Sequence, residues 1–276
     1  MIGAGQPFGV SRRLSYTMSA DRYSGRVLYV TFRTGVDLEQ WLPPALRAAD
    51  PHIGFLKLYE LKRRPENGAA LPPGFSQYHE ACVTVLAAPP GEIDRHYNLF
   101  MWVDKDWATY KAREALGWPK KYASIDITST YPAGDRYDTD AGTAAFSADV
   151  SRYGYPLIKV RATLDPDAGA QPAPPFNGFY TVRHIPAPIG GEAVRELLAI
   201  ETRDGWFGPG VFGSATIEFL DAPDEELGRL GQVEVTGCVL RDVGWVLPAW
   251  PARLVAELDE WPLDMGDTLP EKETIT

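Results

Sequence analysis

Asp106–Thr128, DWATYKAREALGWPKKYASIDIT, is the stretch from which the rest of the chain can be read. It opens as a short helix. Asp106 is a good N-cap, because its carboxylate can accept the free N–H groups of a first turn. Trp107, Ala108, Lys111, Ala112 and Ala115 then recur at helical spacing. Gly117 stands where a left-handed residue closes a helix, and Pro119 forbids continuation. Beyond the stop, Tyr122, Ile125 and Ile127 mark a β-favouring segment. Lys120 and Lys121 therefore occupy the joint between a helix end and a strand.

Two adjacent lysines are ordinarily a solvated basic pair. Here Pro119 pins the backbone, and Leu116, Trp118, Tyr122 and Ile125 surround the pair. A lysine held among apolar groups loses solvation of its ammonium form, so its pKa falls, and a second ammonium nearby pushes the same way. An amine that is neutral near pH 7 can attack a carbonyl and form a Schiff base. Neighbours on a strand point to opposite faces, which leaves open whether Lys121 or desolvation would activate Lys120.

Arg113 to Lys121, REALGWPKK, resembles the R-E-x-x-(G/A)-aromatic-P-K-K signature of the acetoacetate decarboxylase superfamily. That enzyme is the standard example of a lysine activated by a cationic neighbour, so likeness and mechanism are not independent here. The resemblance implies Lys120 as the Schiff-base lysine and Lys121 as the neighbour that keeps it neutral. Other blocks follow in the family's order: Phe32-Arg33-Thr34 at the end of a first strand, Tyr78-x-Glu80, Phe176-Asn177-x-Phe179-Tyr180 with Arg183 to Pro186, Trp206-x-Gly208, and Val246-Leu247-Pro248. The resemblance implies that Glu80 positions substrate or moves protons, and Tyr78, Arg26, Trp118 and Trp206 are the candidate substrate-binding residues. It also implies a homo-oligomer with no cofactor.

The sequence departs from the decarboxylase pattern at two places. The family's arginine before the first strand falls on Gly25, one residue before Arg26. Its second glutamate falls on Leu56, with Glu60 four residues later on the same strand. Members with such losses look like pyruvate aldolase-dehydratases, which join a pyruvate enamine to an aldehyde and eliminate water. That reaction is the leading expectation, with decarboxylation of an acetoacetate-type acid as the alternative. A non-catalytic small-molecule-binding protein is the alternative of another class. A solvated Lys120, or one salt-bridged to Glu80, would favour binding; a buried amine facing a cavity would favour catalysis.

Outward from the centre, period-two segments dominate. Strands are expected at Arg26–Thr34, Ile53–Leu61, Gln77–Ala88, His96–Val103, Ala144–Asp149, Leu157–Leu164, Phe179–Ile185, Val194–Arg203, Ala215–Leu220 and Gln232–Val243. Asp37–Ala48 starts like a capped helix that Pro43-Pro44 breaks, the polar, Pro- and Gly-rich RRPENGAALPPG reads as a loop, and Pro248–Leu258 reads as a short helix or an extended segment. With few short helices and no βαβ spacing, the expected class is α+β, mainly antiparallel β, an acetoacetate decarboxylase-like barrel or sheet. Residues 1–276 are expected to form one domain, with 1–20 and 264–276 peripheral.

The whole chain has 276 residues and a formal net charge of −10, which argues against nucleic-acid or anionic-membrane partners. The N-terminus lacks a signal-peptide pattern and no apolar run reaches the ~20 residues of a membrane span, so a cytoplasmic protein is expected. Cys82 and Cys238 have no metal-ligand spacing, and His52, His79, His96 and His184 are scattered, so no metal site is expected. Arg113 and Glu114 read as an ion pair that fixes the loop. Tyr97, Phe212 and Trp250 are further aromatic candidates for a pocket wall.

Overall fold

The computed structural model describes residues 20–128, 144–165, 167–169, 176–186 and 193–258. The first residues, most of the polar stretch after Thr128, much of the Pro-rich run near 165–175 and the charged C-terminal tail lie outside them. In chain order the strands are β1 (Asp21–Thr34), β2 (Arg47–Ala48), β3 (Ile53–Pro65), β4 (Gln77–Ala88), β5 (Arg95–Val103), β6 (Lys120–Tyr122), β7 (Ser124–Ile127) and β8 (Ala144–Arg152). They continue as β9 (Tyr155–Asp165), β10 (Phe179–Ile185), β11 (Val194–Ile200), β12 (Arg203–Phe219), β13 (Asp221–Ala222), β14 (Glu225–Glu226), β15 (Val233–Leu247) and β16 (Ala252–Glu257). One short helix, α1 (Asp106–Tyr110), joins β5 to β6 through a π-helical turn at Lys111–Ala115.

Fourteen strands form one sheet, ordered β16-β11-β10-β5-β4-β3-β1-β15-β12-β9-β8-β7, with β2 beside β4 and β6 beside β5. Pairing is antiparallel except where β10 and β6 run parallel to β5. The end strands do not pair, so the sheet is open rather than a closed barrel. This is the mainly antiparallel α+β fold expected from the period-two pattern.

The central strands are buried on both faces. Leu28, Val30, Leu56, Leu58, Ala81, Val83 and Trp102 belong to one apolar core. Val27, Tyr29, Tyr59, Cys82, Met101 and Val103 alternate with them and face a second core, which Ala108, Ala112, Leu116 and Trp118 cover. A strand with two buried faces has no solvent side on which to keep charges, which governs the lysines below.

Several boundaries move. β3 runs on to Pro65, so Arg63 and Arg64 lie on a strand and not in a loop. Asp37 caps only a 3-10 turn, Leu38–Trp41, by accepting the Glu39 N–H. Pro248–Leu258 resolves as extended, with β16 at Ala252–Glu257. β12 is 17 residues long, more than twice its expected length. Its glycine-rich start, Arg203 to Gly213, contains two register breaks against β15, and bulges of that kind erase the alternation that sequence patterns report.

Candidate active site

Chain geometry between β5 and β6 places the lysines. β5 ends at Val103, and Asp106 is the first helical residue; its carboxylate accepts the Trp107 N–H at 2.7 Å rather than N–H groups further along the turn. The π-turn ends as the Gly117 and Trp118 N–H groups bond back to the Arg113 and Ala112 carbonyls, both at 3.1 Å. Gly117 has φ of 76°, and a Cβ there would stand 2.6 Å from the Val182 backbone, so left-handed backbone and close approach to β10 both call for glycine. Two bonds from β10 tie the turn down. Thr181 Oγ1 donates to the Leu116 carbonyl at 2.6 Å, and Arg183 Nε donates to the Glu114 carbonyl at 2.9 Å. The Arg113–Glu114 pair does form, at 2.9 Å, but in the open, where such pairs contribute little.

Register then decides which lysine enters the interior. Met101 of β5 pairs with Lys120, and Trp102 pairs with Lys121. Met101 faces the second core, so Lys120 does too; it is buried, and Nζ donates to Glu80 Oε2 at 2.7 Å. Trp102 faces the first core, so Lys121 points the other way, to Glu225 Oε2 at 3.0 Å. The two lysines do not share a site. Lys121 is therefore not the neighbour that could depress Lys120, because strand alternation has turned it through the sheet.

Lys120 and Glu80 form part of the wall of a cavity of about 60 Å³, whose other walls include Tyr78, Trp118, Arg63 and Phe179. The Lys120 amine lies 5.6 Å from the ring centres of both Tyr78 and Trp118. Glu80 Oε1 receives a long contact from the Cys82 thiol, 3.6 Å. Burial, and after it the Glu80 carboxylate, push both the Cys82 thiol and the Tyr78 phenol well above their ordinary values, so both keep their protons. Tyr78 is thus a neutral hydroxyl in the wall.

Of the sequence candidates, the structure brings together Lys120, Glu80, Tyr78 and Trp118. Arg26 does not join them: it lies on the opposite sheet face, 3.6 Å from Asp242. Trp206 also stays outside, half exposed and seated over Gly244, in an adjoining cleft with Arg22 and Lys62 that shares Arg63 with the cavity. Tyr97 lines a larger cleft on the Lys121 side, Phe212 packs against the second core, and Trp250 is in solvent. Among the described residues no group of three or more His, Cys, Asp or Glu side chains is arranged to hold a metal ion, and no helix is long and apolar enough to cross a membrane.

Two residues that the sequence reading passed over face the same interior. Arg63 lines the cavity; its Nε meets the buried Asp21 carboxylate at 3.1 Å, and its guanidinium lies 5.1 Å from the Trp107 ring centre. Lys57 of β3 is fully buried with Nζ 5.3 Å from the Phe179 ring centre, and burial lowers its pKa to about 8 against the pull of Cys82 and Glu80. The signal for both was strand alternation: Phe55, Lys57, Tyr59, Leu61 and Arg63 share one face.

The comparisons agree with this fold. The family model described as acetoacetate decarboxylase matches residues 6–248. An acetoacetate decarboxylase-like enzyme from Sphingomonas wittichii RW1 superposes with a TM-score of 0.82 at 23% identity, covering 93% of this chain and 100% of its own. The enduracididine biosynthesis enzyme MppR, in complex with pyruvate, gives 0.76 at 23% identity, covering 92% and 99%. Acetoacetate decarboxylase from Legionella pneumophila gives 0.68 at 15% identity, covering 87% and 88%. No curated protein matches the chain.

Proposed function

The chain belongs to the acetoacetate decarboxylase family, and from that premise we propose that it is a carbon–carbon lyase working through a lysine Schiff base on a small oxo acid. The observation that carries this reading is the burial of the Lys120 amine in the wall of a cavity, beside Glu80. Nζ passes its proton across the 2.7 Å hydrogen bond to Glu80 Oε2 and on to water, which leaves the Glu80 carboxylate ionised. The free amine attacks the keto carbon of the oxo acid. A proton returned from water through Glu80 goes to the carbinolamine hydroxyl, water leaves, and an iminium remains.

With pyruvate, loss of a methyl proton to Glu80 turns the iminium into an enamine. The enamine carbon adds to an aldehyde, the new hydroxyl leaves as water, and hydrolysis of the imine releases an unsaturated oxo acid and frees Lys120. This aldol addition and dehydration is preferred to decarboxylation for two reasons. Leu56 faces the other core, Arg26 and Glu60 lie on the outer face, and so none of them supplies the cavity with the decarboxylase pattern's missing groups. MppR, of like fold, has also been crystallised with the condensation product of pyruvate and imidazole 4-carboxaldehyde. Arg63, whose Nε meets Asp21, is the cation that receives the oxo acid's carboxylate.

The ion pair itself favours a second reading, in which Lys120 stays an ammonium and the cavity only binds an anionic ligand. Borohydride trapping with pyruvate and with acetoacetate, read by peptide mass spectrometry, separates the two. A reduced adduct on Lys120 that Lys120→Met abolishes is expected; no adduct with either acid leaves the binding protein.

A further inference from the structure

Lys57 is used by neither reading, and its position is hard to explain as packing alone. It is fully buried, and among the described residues its Nζ has no hydrogen-bond partner. The register sets Lys57 opposite Cys82, Cys82 opposite Met101, and Met101 opposite Lys120. The four side chains form one row on the face of the second core, with an amine at each end. Both amines act electrostatically on the Cys82 thiol between them. Glu80 lies two residues before Cys82 on the same face, and it acts on Lys57 as well as bonding to Lys120.

The tyrosines facing this row are neutral, and Arg63 in the cavity wall is already balanced by Asp21. Burial raises Tyr29 to about 12 and Tyr59 well above its ordinary value, and their hydroxyls meet each other at 3.4 Å. The His96 ring packs among Phe55, Phe176 and Phe179. Arg241 approaches Tyr29 from the neighbouring strand β15, with its guanidinium 5.3 Å from the Phe207 ring centre. Glu80 thus has one amine bonded to it and a second within electrostatic reach. If both were protonated, an uncompensated positive charge would sit in an apolar interior, which low polarity opposes. One amine has to be neutral, and the question is which.

We propose that Lys57 is a positioning residue for the Schiff base: its ammonium balances the Glu80 carboxylate, so that Lys120 gives up its proton to water and meets the carbonyl as a free amine. This rests on the lyase reading. It assigns to a residue 63 positions upstream the cationic-neighbour role that the adjacent Lys121 cannot fill. With a pKa of about 8, Lys57 is charged at neutral pH and loses that charge in mildly alkaline solution.

The test is the rate of pyruvate adduct formation at Lys120, measured near pH 7 and near pH 9 in the wild type, Lys57→Met and Lys57→Arg. Lys57→Met removes a buried charge and keeps an apolar stem, a change that interiors tolerate well. Its trapping rate is expected to fall about tenfold near pH 7, the equivalent of one pH unit of proton affinity, and to come within about threefold of wild type near pH 9, where Lys57 is already neutral. Lys57→Arg, which stays charged, is expected to keep most of the rate near pH 7. Lys57→Gln takes the place of the methionine variant, with the same expectations, should the latter fail to fold. An unchanged rate in the neutral variant, or an equal deficit at both pH values, overturns the proposal while leaving the lyase reading intact. A wild type that forms no adduct overturns both.

Discussion

The two faces of the sheet treat neighbouring residues in opposite ways, and two pairs of neighbours make the comparison. His79 and Glu80 are adjacent on β4; Lys120 and Lys121 are adjacent on β6. Glu80 and Lys120 turn to one face and meet there, both buried. His79 and Lys121 turn to the other, where His79 meets Asp104 at 3.1 Å and Lys121 meets Glu225 at 3.0 Å. Each of these three acid–base pairs joins residues far apart in the chain. A doublet such as Lys120-Lys121 therefore signals a strand with two functional faces rather than a local concentration of charge.

Exchanging the lysines is the strongest way to break this comparison. Lys120→Met should abolish adduct formation with oxo acids. Lys121→Met should leave the rate of adduct formation within about threefold of wild type, because its charge lies beyond the sheet. Its cost should appear in stability instead. Glu225 is almost fully buried and, among the described residues, would keep Trp102 Nε1 at 3.0 Å and Arg152 at 3.8 Å, a loss of about 1–3 kcal/mol in denaturant unfolding. A Lys121 variant that loses the adduct and keeps its stability would mean that the faces communicate, and the division of labour would fail.

Arg63 sharpens the same contrast within one basic run, Lys62-Arg63-Arg64. Lys62 and Arg64 point to solvent, and Arg63 lines the cavity. Replacing a charge-assisted contact to a carboxylate costs about 1.5–3 kcal/mol. Arg63→Gln should thus raise KM for pyruvate by roughly ten- to a hundredfold, with little change for a neutral ketone trapped on Lys120. Lys62→Gln should change neither. An equal loss with the neutral ketone would make Arg63 a structural partner of Asp21 only.

Much of this arrangement could be read from the sequence, and the rest was hidden for identifiable reasons. The helix stop at Gly117 and Pro119 was visible because left-handed backbone and a missing N–H are properties of single residues. The alternating strands were visible because each has a regular period. Lys57 and Arg63 were not, because a lysine or arginine inside an alternating strand is normally counted on the solvent face. Only the assembled sheet reveals that β3 is covered on both sides. Arg26 and Trp206 erred in the opposite sense: they were chosen by motif order, and motif order does not specify a face. The start of β12 was illegible since its bulges, with Gly210, Gly213 and Gly244 making room for packed neighbours, leave no period to detect.

The mildest consequence of the two-face rule concerns His79, whose chain neighbour Glu80 turns to the opposite face. The Asp104 carboxylate, hydrogen-bonded to His79, raises the imidazole above its ordinary pKa, with burial pulling the other way. Burial also works against ionised Asp104, yet the bonds from His79 and Lys105 hold its carboxyl below the usual range. A histidine whose folded value is raised stabilises fully below its unfolded value, ~6.5, and that contribution disappears as pH climbs through the raised value. The depressed Asp104 stabilises above its own unfolded value, ~3.9, and loses this as pH falls. The pair is therefore complete between about pH 4 and 6.5. Because His79 is about a third exposed at its side chain, screening limits the pair to roughly 0.2–1 kcal/mol. His79→Gln should lose that amount in urea unfolding near pH 5.5 and almost nothing near pH 9, while adduct formation at Lys120 stays as in wild type. A deficit that grows toward alkaline pH would show that His79 acts as a neutral ring, and the outer face would then hold its residues by packing rather than by charge.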